Sequence, residues 1–321
     1  MLAIIQPLKS TQPNSQTTPD TTPLGRKLSG VLLPTTTPFS QDGQIDEAAL
    51  TTNLDRWAKA GVAGFVLLGS TGERVHINER EYAQLVTLAR KEVAVDLAFI
   101  VGAGQQSTLG SINEVGVAAQ AGADAVLVIT PHFYRSAISQ EALIDYYSAV
   151  ADASDVPVLL YSMPALTGIK IEPETIARLS DHSNIIGVKD SSNDMVGFKR
   201  TVELCPTDFA VMTGNGTVLF DALKHGATGA ILAVGCVVPE VCLEIFGSFW
   251  LGEIQRAEAL QEKLTPLATA VTTRFGIGGL KVAMELAGYT GGTVRAPLQS
   301  PSEDQQTEIR KLFEAVLHAP H

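Results

Sequence analysis

The chain has 321 residues, of which 45% are hydrophobic and 18% are charged, and its formal net charge at pH 7 is −11. This length and apolar content are typical of a globular protein with one large core or two modest ones. The acidic balance argues against nucleic acid and anionic membrane as partners, because both bind basic surfaces, whereas a small anionic substrate needs only one local cationic group.

The first 28 residues combine a short apolar patch with a stretch rich in Thr, Pro and Gln. They lack the basic segment and long apolar core of a secretory signal peptide. No apolar run in the chain approaches the roughly 18–20 residues of a membrane span. Residues 1–28 are therefore predicted to form a flexible N-terminal arm.

From Gly30 onward, short β-rich apolar runs alternate with segments of helical spacing. The runs cover residues 30–35, 64–69, 97–104, 125–130, 156–162, 185–190, 209–214 and 229–234. Several helical segments open with a capping residue, namely Asp46, Asn78 and Ser139. Strands buried on both faces read as continuous apolar runs, as these do. Eight strands, each followed by a helix, predict an α/β fold and favour a (β/α)8 TIM barrel over a doubly wound open sheet.

After about residue 250 only helical patterns remain. The predicted organisation is a flexible arm (1–28), a (β/α)8 barrel (29–250) and a C-terminal helical region (251–321) packed on the barrel. Cysteine and histidine spacing predicts no metal site. The three cysteines, Cys205, Cys236 and Cys242, are interpreted as reduced thiols of a cytoplasmic protein.

The chemistry of such a barrel lies at the C-terminal ends of its strands. These ends concentrate glycine and polar residues after the apolar runs, in "GSTGE" (69–73), "TPHFYR" (130–135), "YSMP" (161–164), "VKDSS" (188–192) and "TGNG" (213–216). This arrangement is what a site at one barrel mouth requires. Glu73 and Asp190, within these motifs, are expected to be positioning neighbours.

Lys189 directly follows the apolar residues 185–188. A lysine at a strand end commonly extends to water. An amine held among apolar side chains instead has a lowered pKa, which makes the neutral nucleophile available. Such an amine attacks a ketone to form a Schiff base, and the iminium then accepts electrons. The stretch alone leaves both interpretations open.

Two further motifs lie at the same predicted rim. Tyr161 ends the strand before Lys189, and a phenol there can transfer protons, although an ordinary structural hydrogen bond is the alternative. Ser70 and Thr71 lie between glycines, so that their amides and hydroxyls, with Gly72, predict a small anion site sized for a carboxylate. A simple turn is the alternative interpretation of this motif.

In this order, "GSTGE", "TPHFYR", "YSMPALTG" and "IIGVKDSS" resemble the dihydrodipicolinate synthase / N-acetylneuraminate lyase family of class I aldolases. The resemblance covers about residues 30–298. Within that family, "VTTRFGIGGLKVAMELAGYTGGTVRAPLQ" near the C-terminus is most similar to 4-hydroxy-2-oxoglutarate aldolase. The resemblance implies a TIM barrel, a homotetramer built as a dimer of dimers, and no metal or organic cofactor.

The resemblance also implies roles for individual residues. Lys189 forms a Schiff base with pyruvate or another 2-oxo acid, and Tyr161 transfers protons. Ser70 and Thr71 bind the carboxylate of the 2-oxo acid. Ile231 contributes a backbone contact at the floor of the pocket.

The chain departs from the family pattern at three places. Leu166 stands where the synthase has an arginine that binds the carboxylate of its aldehyde substrate. We expect Leu166 to be buried and unable to bind that carboxylate. The sialic acid lyase has a leucine there too, but it carries acidic residues where this chain has residues 217–219, Thr-Val-Leu. Phe133 replaces a tyrosine that reaches in from the neighbouring subunit to complete a proton relay. Either Tyr134 or a water takes over that role, or the relay is shorter in this protein.

We therefore expect an enzyme, a class I pyruvate-dependent aldolase acting on 4-hydroxy-2-oxo acids. The expected reaction is the cleavage of a substrate such as 4-hydroxy-2-oxoglutarate to pyruvate and glyoxylate, with Ser191 holding the distal carboxylate as in the similar aldolase. The alternatives are a dihydrodipicolinate synthase, which joins pyruvate to aspartate semialdehyde, and a non-catalytic barrel that binds 2-oxo acids.

Overall fold

Eight parallel strands close into a barrel in chain order in the computed structural model, which describes residues 23–317. The strands are β1 (Val31–Pro34), β2 (Gly64–Leu67), β3 (Ala98–Ala103), β4 (Ala125–Ile129), β5 (Val158–Ser162), β6 (Ile185–Asp190), β7 (Ala210–Thr213) and β8 (Gly229–Ile231). The pairing of β1 with β8 closes the barrel. Each strand lies within the corresponding apolar run, and the predicted (β/α)8 fold is confirmed.

One helix precedes β1, and the others follow the strands and surround the barrel. They are α1 (Pro23–Leu28), α2 (Glu47–Lys59), α3 (Glu79–Glu92), α4 (Thr108–Gln120), α5 (Gln140–Asp152), α6 (Pro164–Thr167), α7 (Pro173–Leu179), α8 (Met195–Leu204), α9 (Leu219–Lys224) and α10 (Pro239–Trp250). The side chains of Asp46, Asn78 and Ser139 accept hydrogen bonds from backbone N–H groups in the first turns of α2, α3 and α5. These contacts satisfy amides that have no partner inside the helix.

The core has two parts. One fills the barrel interior, where Leu32, Val66, Ile100 and Met212 are fully buried. The other lies between the strands and the surrounding helices and contains the fully buried Trp57. Continuous burial on both strand faces explains why the strands read as unbroken apolar runs.

The last six residues of the predicted arm are helical rather than flexible. In α1, Leu28 is buried and packs into the barrel-interior cluster, and Lys27 Nζ donates to the carbonyls of Val95 (2.8 Å) and Leu97 (3.2 Å). These contacts fix α1 against the end of the barrel at which the strands begin. Residues 1–22 of the predicted arm lie outside the described residues.

Three helices and a π-helical turn follow α10. They are α11 (Ile254–Thr269), the π turn (Ala270–Arg274), α12 (Gly276–Leu286) and α13 (Glu303–Leu317). Gln261 of α11 donates to the carbonyl of Gly216 (3.0 Å) and accepts from the amide of Phe220 (3.0 Å), so this helix contacts the segment after β7. Between residues 23 and 317, no helix combines the length and apolar character needed to cross a membrane.

Candidate active site

Lys189 and Tyr161 are direct neighbours across two strands. They are register partners on β6 and β5, next to the C-terminal ends of both strands, and each side chain is almost fully buried. The Lys189 Nζ lies 4.5 Å from the centroid of the Tyr161 ring. The structure therefore brings together the two side chains that the sequence analysis placed at one rim.

A second contact joins Tyr161 to the loop after β2. The hydroxyl oxygens of Ser70 and Tyr161 are 2.9 Å apart, and either hydroxyl can be the donor. A phenol within hydrogen-bond distance of another hydroxyl can pass its proton on and recover it. Lysine, tyrosine and serine thus form one connected group at the barrel mouth.

The segment from Ser70 to Gly72 is a 3-10 turn with unusual backbone at both flanks. Leu68 and Glu73 adopt left-handed conformations, with φ of 57° and 54°. The amides of Gly72 and Glu73 close the turn by donating to the carbonyls of Gly69 (3.0 Å) and Ser70 (3.1 Å). The predicted anion site therefore depends on the amides of Ser70 and Thr71 and on their hydroxyls.

Gly72 packs too closely against β1 for a larger residue to fit without adjustment. A Cβ atom at this position would lie 3.1 Å from the carbonyl oxygen of Thr35. The hydroxyl of Thr37 donates to the carbonyl of Gly72 at 2.8 Å. Gly72 therefore locks the turn onto the segment after β1.

Ser191 follows β6 and has a buried hydroxyl with no hydrogen-bond partner among the described residues. The hydroxyls of Thr35 and Thr130, which follow β1 and β4, are also buried and without a partner there. Buried polar groups are normally satisfied, so such groups mark places where a polar ligand or water completes the bonding. All three directly follow the C-terminal end of a strand or of its apolar run.

Gly214 is a site residue that the sequence analysis did not single out. A Cβ atom here would lie 2.6 Å from Cε of Lys189 and would collide with the Ser191 hydroxyl. The absence of a side chain therefore gives Lys189 and Ser191 their space. The available signal was the first glycine of "TGNG", which directly follows β7.

Ile231 is the last residue of β8, and its side chain is buried in the barrel interior with those of Tyr161 and Met212. This location is compatible with a place at the pocket floor. Its backbone contact with a substrate remains a prediction.

The expectation that Leu166 is buried is wrong. Its side chain is 63% exposed on the short helix α6, because Pro164 starts a helical turn directly after β5 that carries the chain outward. Leucine still offers no guanidinium to a carboxylate.

Phe133 and Tyr134 lie exposed on the loop after β4, with their rings edge to face and the centroids 5.0 Å apart. Gln106 fixes this loop by accepting from the amides of His132 (2.9 Å) and Phe133 (2.8 Å). Within residues 23–317 the Tyr134 hydroxyl has no hydrogen-bond partner, and no hydrogen bond joins it to Tyr161. Tyr134 as a relay residue remains a prediction.

The three thiols are buried or partly buried, and that of Cys236 donates to the carbonyl of Pro34 at 3.3 Å. Cys236 and Cys242 are fully buried, and burial raises the pKa of Cys205 to about 11 and that of Cys242 to about 12. Among residues 23–317, no cluster of three or more His, Cys, Asp and Glu side chains could hold a metal ion.

Comparisons with known proteins cover nearly all of the described residues. A model of the dihydrodipicolinate synthetase family matches residues 27–316. A 4-hydroxy-tetrahydrodipicolinate synthase from Methanothrix thermoacetophila is 34% identical over 288 residues, which is 88% of this chain and 95% of that protein. The enzyme of the same name from Methanopyrus kandleri is 33% identical over 290 residues, which is 90% of this chain and 96% of that protein.

Solved structures point to the same family. The dihydrodipicolinate synthase of Thermotoga maritima superposes with a TM-score of 0.84 at 31% identity, over 89% of this chain and 98% of that one. A prophage protein of the dihydrodipicolinic acid synthase family from E. coli K12, in complex with pyruvate, superposes with a TM-score of 0.85 at 29% identity. That match covers 90% of this chain and 99% of the other.

Proposed function

The chain belongs to the dihydrodipicolinate synthetase family and is a pyruvate-dependent class I aldolase-type enzyme, and we propose that it cleaves 4-hydroxy-2-oxo acids, such as 4-hydroxy-2-oxoglutarate, to pyruvate and glyoxylate. One observation carries the proposal: the buried Lys189 amine lies over the Tyr161 ring, and the Tyr161 hydroxyl reaches Ser70. Nucleophile and proton-transfer group are thus in contact, as Schiff-base chemistry requires.

The reaction begins when the Lys189 amine attacks C2 of the substrate. Tyr161 donates its proton to the departing hydroxyl, so that water leaves and an iminium forms. The phenol oxygen of Tyr161, now without its proton, takes the proton of the C4 hydroxyl while the C3–C4 bond breaks. The electron pair of that bond passes into the iminium to form an enamine, and glyoxylate departs. Protonation at C3 and hydrolysis release pyruvate and restore the free lysine.

Binding groups for the two ends of the substrate lie on different loops. Ser70 and Thr71 hold the C1 carboxylate in this proposal, through the amides and hydroxyls of their turn. Ser191 holds the distal carboxylate, and the support is its buried hydroxyl without a partner among the described residues, beside Lys189 and Gly214. A hydroxyl that donates to a carboxylate would satisfy this group.

A synthase reaction is the second candidate, and the names of the relatives favour it. There the same pyruvate enamine would attack the aldehyde of aspartate semialdehyde instead of being released. Leu166 argues against this reaction, because the synthase pattern has an arginine at this position to bind the carboxylate of the aldehyde. A barrel that only binds 2-oxo acids is the third candidate.

The test begins with pyruvate and borohydride, followed by peptide mass spectrometry. We expect a reduced adduct on Lys189, no adduct with Lys189→Arg, and an unchanged adduct with Lys224→Arg, which alters an exposed lysine on α9. Release of pyruvate from 4-hydroxy-2-oxoglutarate supports the aldolase. Faster turnover with aspartate semialdehyde supports the synthase, and an adduct without any turnover supports the binding protein. Absence of the Lys189 adduct contradicts every candidate function in which Lys189 forms a Schiff base.

We propose further that the enzyme works in the cytoplasm as a homotetramer. Exposed Phe133, Tyr134 and Leu166 support an interface, because all three are large apolar or aromatic side chains on the segments after β4 and β5 at the barrel mouth. One similar structure is that of a monomeric dihydrodipicolinate synthase variant, so the oligomeric state of this chain must be measured. Light scattering after size exclusion distinguishes a tetramer from smaller species.

A further inference from the structure

A buried ion pair joins the loop after β2 to helix α12. Nζ of Lys281 lies 2.7 Å from Oε1 of Glu73, and the two side chains are 2% and 1% exposed. We propose that this pair positions the Ser70–Gly72 turn for the substrate carboxylate, so that Lys281 is a positioning residue contributed by the C-terminal helical region. The proposal rests on the carboxylate-binding role given to that turn under the proposed function.

Lys281 is fully bonded in its buried position. Its ammonium donates to Glu73 and to the carbonyls of Thr37 (2.8 Å) and Thr293 (2.6 Å). Three donors on one ammonium group meet three acceptors, which leaves none unsatisfied. Burial lowers the pKa of Lys281, and the Glu73 carboxylate acts against that lowering.

Glu73 directly follows the turn, and its backbone conformation requires stabilising contacts. Its φ of 54° is a left-handed conformation that is costly for any residue other than glycine. Besides Lys281, its carboxylate accepts from the amide of Arg295 (3.0 Å) and lies 3.2 Å from Nδ1 of His76. These contacts keep the carboxylate, and with it the backbone of Glu73, in one place.

A second chain of contacts connects Lys281 to the same turn. Thr37 accepts from Lys281 through its carbonyl, while its hydroxyl donates to the carbonyl of Gly72 at 2.8 Å. Lys281 thus holds the turn through Glu73 on one side and through Thr37 on the other. The Ser70–Gly72 turn then places the hydroxyl of Ser70 next to that of Tyr161.

The ion pair could also serve stability alone, and the two roles predict different measurements. A purely structural pair, when removed, lowers the melting temperature without changing how tightly the folded enzyme binds pyruvate. A positioning pair, when removed, loosens the carboxylate site of molecules that are still folded. Pyruvate affinity therefore separates the two roles.

The main variant is the full-length double substitution Glu73→Gln with Lys281→Met, which removes both buried charges at similar volume. We measure the pyruvate concentration that gives half-maximal borohydride-trapped adduct on Lys189. The expected result is an increase of about tenfold or more, since small displacements of binding groups have effects of this size. The adduct at saturating pyruvate reaches the wild-type plateau.

Ile309→Ala on α13 is the control, because Ile309 is fully buried in the same C-terminal region but not among the contacts of the turn. It is expected to lower the melting temperature and to leave half-saturation unchanged. Thr37→Val removes only the hydroxyl that holds Gly72, and it decides the question if the double variant does not fold. It is expected to weaken pyruvate binding in the same direction.

Unchanged half-saturation in every folded variant of the pair and of Thr37 overturns the positioning role and leaves the proposed function intact. Absence of an adduct in the wild-type enzyme overturns the proposed function, and the positioning role with it. Equal weakening in Ile309→Ala shows that general destabilisation is the cause, which also overturns the positioning role.

Discussion

The hydroxyl oxygens of Ser70 and Tyr161 lie 2.9 Å apart, although 91 positions separate the two residues in the chain. This contact connects the turn proposed to bind the substrate carboxylate with the phenol proposed to move protons. A substrate that settles in the turn would therefore also influence the orientation of the phenol. In the proposed mechanism, this hydrogen bond couples carboxylate binding to proton transfer.

Replacement of Tyr161 by Phe removes the proposed proton-transfer group and keeps the ring that packs against Lys189. We expect kcat for pyruvate release to fall about 100- to 10,000-fold, the usual contribution of one acid–base group. Steady-state kinetics on 4-hydroxy-2-oxoglutarate measures this. Tyr289→Phe, at a buried tyrosine that stacks on Trp57, is the control. Equal kcat in Tyr161→Phe and wild type would contradict the assigned role.

Replacement of Ser70 by Ala deletes the hydroxyl that contacts Tyr161. We expect a decrease in kcat/KM of about tenfold, since the loss of one hydrogen bond is worth about 1 kcal/mol or somewhat more. Ser70→Thr keeps a hydroxyl on the same carbon and should retain most of the activity. A loss of equal size in both variants would show that packing, rather than the hydrogen bond, is what the serine provides.

Replacement of Gly214 by Ala places a methyl group 2.6 Å from Cε of Lys189. Real Cβ contacts are not this short, so the lysine must move, and we expect trapping of the pyruvate adduct to slow by about tenfold or more. Gly247→Ala in α10 is the matched control, because a Cβ there has nothing within 4 Å. Wild-type trapping rates in Gly214→Ala would show that Lys189 has free room.

The barrel and the pair of Lys189 and Tyr161 could be predicted because their signals are local. Each strand is an apolar run, and two consecutive strands carry the tyrosine and the lysine next to their C-terminal ends. The bond between Glu73 and Lys281 could not be predicted, because 208 positions separate the residues and a charged helix residue normally faces water. The exposure of Leu166 depends on the direction of α6, which strand periodicity does not encode.

Replacement of Leu166 by Arg introduces the guanidinium that the synthase pattern has at this position. Because Leu166 is exposed, we expect stability to change by no more than about 0.5 kcal/mol. The ratio of turnover with aspartate semialdehyde to cleavage of 4-hydroxy-2-oxoglutarate should rise. Leu109→Arg adds the same charge at another exposed leucine and should leave the ratio unchanged. A wild-type enzyme that already prefers aspartate semialdehyde would establish the synthase reaction instead.

Replacement of Asp190 by Asn should stabilise the protein in a pH-dependent way. Desolvation by burial is the largest influence on Asp190 and raises its pKa above the ordinary 3.8, against hydrogen bonds from Ser192. Between 3.8 and the higher folded-state pKa, the folded protein holds more protons than the unfolded chain, so the contribution of Asp190 to stability falls as pH rises. The advantage of Asp190→Asn in urea unfolding should therefore be smallest at pH 3.5 and grow toward pH 7. The exposed Asp208→Asn is the control, and an advantage independent of pH would contradict the desolvation argument.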